Sequence, residues 1–135
     1  MIVADTDVLI DYLADREPSA GRVAVELESR TFCTTALTRF ELLAGARDRT
    51  AGALIRRLLD SLPTLPLDRE AADQAAAVRR RLEGRGEGIG MADSLIAGIV
   101  LANDGLLLTR NRPHFERVDG LKLATLRSDP PPQAE

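Results

Sequence analysis

One cysteine, one lysine, one histidine and no tryptophan occur among the 135 residues of this chain. A lone Cys33 excludes an internal disulfide framework and a cysteine-rich zinc site. No apolar run approaches the roughly 20 residues that a bilayer-spanning helix needs. The first residues also lack the basic segment and apolar stretch of a secretory signal. The expectation is a cytoplasmic protein. Lys122 is the only lysine among 18 basic residues, the rest being arginine. Such a bias can reflect a GC-rich coding sequence, and it also suits bidentate contact with phosphate, so it does not choose between them. A net charge of −3 argues against binding nucleic acid by bulk electrostatics alone.

Hydrophobic residues make up 44% of the chain and charged residues 29%, the balance of a soluble globular protein. A chain of this length buries roughly 68% of its unfolded surface in one core. We expect one domain over residues 1–126 and a disordered tail over 127–135, where Pro130, Pro131 and Pro132 follow one another.

Ile2 to Ala4 reads as a short buried strand, and helical spacing of Val8, Leu9, Tyr12 and Leu13 begins at Thr6. A second helix is expected over Ala20 to Ser29, and a β-rich stretch, Thr31 to Thr35, follows. Helices are expected from there to about Arg47 and from about Ala51 to Leu62. Thr64 to Leu67 contains a proline, which an edge strand tolerates. Asp68 suits the N-cap of a helix reaching about Glu83, and the glycine-rich Gly84 to Gly90 reads as a flexible connection. Met91 to Asn103 is the most apolar helix; Leu106 to Thr109 and Leu121 to Thr125 read as the last strands. Strands separated by helices imply an α/β fold with a parallel sheet of four to five strands, covered on both faces. Ligands of such sheets sit beyond the carboxyl ends of the strands, where the winding reverses.

Three acids stand in apolar surroundings there. Asp5 ends the first strand; Glu41 lies within Ala36 to Gly45, and Asp93 within Met91 to Ala97. Neither Glu41 nor Asp93 has a basic residue three or four positions away, so no ion pair along the helix compensates them. Carboxylates so embedded need compensation from elsewhere. If the three converge, a divalent cation is the natural source. Asp5 and Asp7 can also be read as acids at a helix start, and Asp11, one turn beyond Asp7, as solvated.

The stretch Val3-Ala4-Asp5-Thr6-Asp7-Val8-Leu9-Ile10-Asp11 resembles the opening motif of PIN-domain ribonucleases, specifically the VapC toxins of toxin–antitoxin pairs. Thr38 to Gly45, Gly90 to Ala97, and Leu108-Thr109-Arg110-Asn111 with His114-Phe115 resemble the three motifs that follow, in order. The resemblance implies a PIN-like fold and RNA hydrolysis by a water activated on Mg²⁺ or Mn²⁺, leaving 5′-phosphate and 3′-hydroxyl ends. It carries Asp5, Glu41 and Asp93 over as metal ligands. Asn111 stands where many relatives have a fourth acid; its amide could still ligate or hold a water, and Asp7 could supply the missing charge. Thr6, Ser94 and Thr109 are candidates to hold the carboxylates by hydrogen bonds. Arg110 and Arg112 could contact substrate phosphate or stand in solvent. The resemblance further implies a VapB-type antitoxin and a homodimer.

Two other readings compete. Asp5-Thr6-Asp7 after a first strand imitates the nucleophile and acid of haloacid-dehalogenase-like phosphatases, which need a downstream lysine that Lys122 supplies poorly. A non-catalytic binding module on the PIN fold is the other. His114 reads as a packing or capping residue, because metal-dependent phosphodiester cleavage needs no imidazole.

Overall fold

The computed structural model describes residues 1–127, so the tail expected from residue 127 falls outside the described residues, Arg127 apart. Twelve elements follow one another along the described residues: β1 (Ile2–Ala4), α1 (Thr6–Leu13), α2 (Ser19–Leu27), β2 (Phe32–Thr35), α3 (Ala36–Ala44), α4 (Arg49–Asp60), β3 (Thr64–Leu65), α5 (Arg69–Gly84), α6 (Met91–Ala102), β4 (Leu106–Leu108), α7 (Arg112–Phe115) and β5 (Lys122–Leu123). The five strands form one parallel sheet in the order β3-β2-β1-β4-β5. The proline-flanked β3 is indeed an edge.

Register sorts the side chains to two faces. Val3 pairs with Cys33 and with Leu107, and all three are buried with Val78, Leu82, Ile96, Val100 and Phe115 of α5, α6 and α7. Ala4, Phe32 and Leu108 face the other way, against Val8 and Leu9 of α1, Val23 of α2, Leu42 of α3 and Ile55, Leu58 and Leu59 of α4. Because the strands alternate sides, a chain buried on both faces needs apolar residues at every position, which Ile2-Val3-Ala4 and Leu106-Leu107-Leu108 provide.

Local signals set the helix starts. Asp48 accepts from Ala51 N at 2.8 Å and Asp68 from Ala71 N at 2.9 Å, each satisfying an orphan amide. Gly98 lets α5 and α6 approach closely: a Cβ there would lie 2.5 Å from the Ala71 carbonyl oxygen. The glycine-rich connection between these helices is tied down rather than loose. Arg85 reaches Asp119 at 3.0 Å and the Arg117 carbonyl at 2.7 Å, and Ile89 is buried.

From β1 the chain leaves to β2 on one side and returns to β4 on the other, so the winding reverses at β1. Asp5 and Thr109 immediately follow β1 and β4, and Asp5 N donates to the Leu108 carbonyl at 2.9 Å. These two strand ends therefore mark the switch point, the place where ligands of such sheets sit.

Candidate active site

Asp5 caps α1, with Oδ1 accepting from Thr6 N at 2.8 Å and Oδ2 from Thr109 Oγ1 at 2.6 Å. Both partners are uncharged, and Asp5 is only 5% exposed. Burial, then the neighbouring Asp7 carboxylate, push its pKa up to about 7; Asp93 adds to the rise, while the Thr109 and Thr6 hydrogen bonds oppose it. This is a carboxyl group held in a place that resists its charge.

Asp7 is also raised, chiefly by burial. Its Oδ2 accepts from Arg110 N at 3.0 Å, and its Oδ1 is buried without a partner among the described residues. The Thr109 hydroxyl, 3.4 Å from Asp7, has one proton and gives it to the nearer Asp5. Asp11 is not the solvated residue expected from its place on the helix. It is buried, and Arg110 Nε lies 2.6 Å from its Oδ2. The Arg110 guanidinium is thus engaged with Asp11, its backbone N–H with Asp7. Arg112 is likewise occupied, by Glu116 at 3.3 Å and the Ala124 carbonyl at 3.0 Å.

Glu41 comes from the second turn of α3. Thr6 Oγ1 is 2.8 Å from Glu41 Oε1 and 3.0 Å from Thr38 Oγ1. Since Thr6 has one hydroxyl proton and the carboxylate takes it, the Thr38 hydroxyl acts as donor to Thr6. Thr35, the N-cap of α3, touches Thr38 in turn at 3.3 Å. A line of threonines from the end of β2 therefore steers Glu41 towards Asp5.

Asp93 sits in the first turn of α6, where the helix N-terminus favours negative charge. Its Oδ2 meets Asn111 Nδ2 at 3.2 Å and His114 Nδ1 at 3.0 Å. Asn111 N donates to Thr109 Oγ1 at 3.0 Å, which links Asp93 back to Asp5. The Ser94 hydroxyl donates to the Gly90 carbonyl one turn back, at 3.0 Å, rather than to a carboxylate as expected.

Asp5, Glu41 and Asp93 therefore share one end of the sheet, joined through Thr6, Thr109 and Asn111. They do not close around a point. Among the described residues no three His, Cys, Asp or Glu side chains form a ready metal-holding group. The three acids are linked instead through the hydrogen-bond partners they share, Thr6, Thr109 and Asn111. The donor chemistry nevertheless fits a hard divalent cation. Carboxylate and amide oxygens dominate, and among the described residues Asp5 has no cationic partner and Asp7 Oδ1 is a buried oxygen without a hydrogen bond. His114 was missed as a member of this group. The fourth motif includes His114, but a four-residue helix has too little periodicity to show which way its imidazole turns.

Comparison with known proteins agrees with this architecture. A profile of the PIN domain matches residues 2–121. Ribonuclease VapC19 of Mycobacterium tuberculosis (strain H37Rv) is 33% identical over 117 residues, 85% of this chain and 92% of that protein. The tRNA(fMet)-specific endonuclease VapC of Shigella flexneri is 28% identical over 122 residues, 87% and 92% of the respective chains. In shape, a chain of VapBC2 from Rickettsia felis, solved bound to a DNA fragment from its promoter, superposes with a TM-score of 0.82 at 21% identity, covering 92% of this chain and 98% of the other. The chain belongs to the PIN-domain family, in its VapC branch.

Proposed function

We propose that this protein is a metal-dependent endoribonuclease, the toxin member of a VapBC-type pair, and that it hydrolyses RNA phosphodiester bonds. The observation that carries the reading is Asp5, a buried carboxyl with its pKa near 7, beside Asp7 and within electrostatic reach of Asp93. A cation bound beside such a group would stabilise it as a carboxylate, adding to the Thr109 and Thr6 hydrogen bonds that already favour the charge. The names of the relatives, which are ribonucleases and a tRNA endonuclease, support the substrate class.

Asp5, Asp93 and Glu41 would hold Mg²⁺ or Mn²⁺. When bound, such an ion supplies charge compensation and a water of lowered pKa at phosphorus. The chain's own part is placement. Thr109 fixes Asp5, Thr6 fixes Glu41, and Asn111 fixes Asp93. The floor beneath them, with Thr109, Thr34 and Thr35 fully buried, excludes bulk water from behind the carboxylates. The helix start at Asp93 adds partial positive charge where phosphate would approach.

A VapB-type antitoxin is the expected partner. A groove with an apolar wall of Ile10, Leu13, Leu42, Leu54 and Ile55, flanked by Arg16 and Arg47, includes Glu41 in its lining and supports that assignment. No helix among the described residues is long and apolar enough to cross a membrane. We further assign a homodimeric, cytoplasmic enzyme.

The phosphatase reading lacks its lysine. Lys122 begins β5 opposite Leu106, at the far end of the sheet from Asp5, and lies 3.9 Å from Asp104. Asn111 in place of a fourth acid leaves the non-catalytic module as the second reading, and one experiment separates it from the nuclease. Antitoxin-free protein should cut RNA with Mg²⁺ or Mn²⁺ and stop with EDTA, while Asp5→Asn and Asp93→Asn remain folded and inactive. Cutting that persists in EDTA, or in both variants, overturns the metal mechanism; no cutting under any condition favours the module.

A further inference from the structure

We infer that His114 is a positioning residue for Asp93, setting which carboxylate oxygen is left free for the divalent ion. The inference rests on the metal-dependent reading of the site. Its Nδ1 lies 3.0 Å from Asp93 Oδ2 and 2.9 Å from Asn111 Nδ2, and Asn111 Nδ2 lies 3.2 Å from the same Asp93 oxygen.

Those three atoms form a small triangle whose protons cannot satisfy every side. A bare Nδ1 would accept from Asn111 but face a carboxylate oxygen lone pair to lone pair. An Nδ1–H donates to Asp93 but meets the Asn111 amide donor to donor. Reversing the Asn111 amide only moves the clash to Asp93. The charged acceptor decides the matter, because a hydrogen bond to a carboxylate outweighs one between neutral groups. The Nδ1–H tautomer therefore holds Asp93, and both nitrogens converge on Oδ2. Oδ1 is the oxygen they leave for a ligand.

The backbone around His114 is built for this task. Phe115 is fully buried and anchors α7, and Pro113 starts the turn with a preset φ. Asn111 N is bonded to Thr109, which fixes the other end of the segment. The imidazole itself remains half-exposed, with side-chain exposure of 43%, so core packing does not account for its position. Partners that orient metal-ligating carboxylates typically change metal affinity about 10- to 100-fold when removed.

The test is Mn²⁺ binding followed by the free-ion paramagnetic resonance signal, with no RNA present. Wild type, His114→Ala and His114→Asn are compared, since an Asn amide nitrogen can take the place of Nδ1–H. We expect His114→Ala to weaken Mn²⁺ binding about ten-fold or more, with an unchanged unfolding midpoint in EDTA, and His114→Asn to recover most of the loss. Wild-type affinity in His114→Ala overturns the proposal, as does a His114→Asn variant no better than alanine. Failure of the wild type itself to bind Mn²⁺ is the distinct result that removes the metal site altogether.

Discussion

Thr109 donates to Asp5 at 2.6 Å across 104 positions of sequence, and the same hydroxyl oxygen accepts from Asn111 N at 3.0 Å. One fully buried side chain thus fastens the ends of β1 and β4 and hands their geometry on to Asp93. Thr109→Val keeps the shape and removes both contacts, leaving the buried Asp5 carboxyl and the partly buried Asn111 amide without this partner. We expect a loss of about 2 kcal/mol in stability and a larger fall in cleavage than in stability alone, whereas Thr109→Ser should retain both. Denaturant unfolding and RNA cleavage measured side by side decide it; a valine variant as stable and active as wild type excludes the role.

Asp5 links activity to stability through pH. Its ordinary value is 3.8 and the folded protein raises it to about 7. Below 3.8 both folded and unfolded chains keep the proton, and the stabilising contribution is fully present. As the pH climbs the unfolded chain releases it first, so the contribution is lost progressively and is gone above about 7. The full span is on the order of 4 kcal/mol as an upper bound. Metal-free wild type should therefore be less stable at pH 8 than at pH 5. Asp5→Asn should flatten that slope and raise the melting temperature at pH 8 while abolishing cleavage. Equal slopes for the two proteins in EDTA would count against it.

The order and type of most elements can be read from the sequence because they are short-range matters. Apolar runs mark the buried strands, Asp68 and Pro66 mark a cap and an edge, and the acids mark strand and helix ends. What the sequence does not carry is pairing across distance. Asp11 looks solvated until Arg110, 99 residues away, is folded against it. Ser94 looks like a carboxylate partner until the α6 start claims its hydroxyl, and α7 is too short to show a period. The acids' shared end follows from strand order, which no single motif contains. The direction each carboxylate takes depends on rotamers, and rotamers depend on partners such as Thr6 and His114.

Gly98 permits the approach of α5 to α6, and with it the placement of Asp93. A Cβ there would meet Ala71 O at 2.5 Å and Ala75 N and Cβ at 2.6 Å, backbone and short side chain that cannot swing away. Gly98→Ala should cost about 2 kcal/mol or more through overpacking. Gly84→Ala, with nothing within 4 Å, is the matched control and should leave the unfolding midpoint within a few degrees of wild type. The idea fails if the two substitutions are equally mild.

Arg110 offers the clearest division between a substrate contact and a structural one. Its guanidinium lies 2.6 Å from Asp11, whose side chain is 6% exposed, while its own is 49% exposed. Removing a phosphate-binding arginine would weaken RNA binding and leave the fold alone. Removing the partner of a buried carboxylate strands that charge, at a cost of several kcal/mol for a dry pair and less here because solvent reaches Arg110. We therefore expect Arg110→Ala to lose about 1–3 kcal/mol of stability, and Arg110→Ala combined with Asp11→Asn to regain part of it. The recovery is the decisive measurement, since a neutral amide at position 11 needs no cation. A single variant with native stability and only a higher KM for RNA would move Arg110 from the scaffold to the substrate.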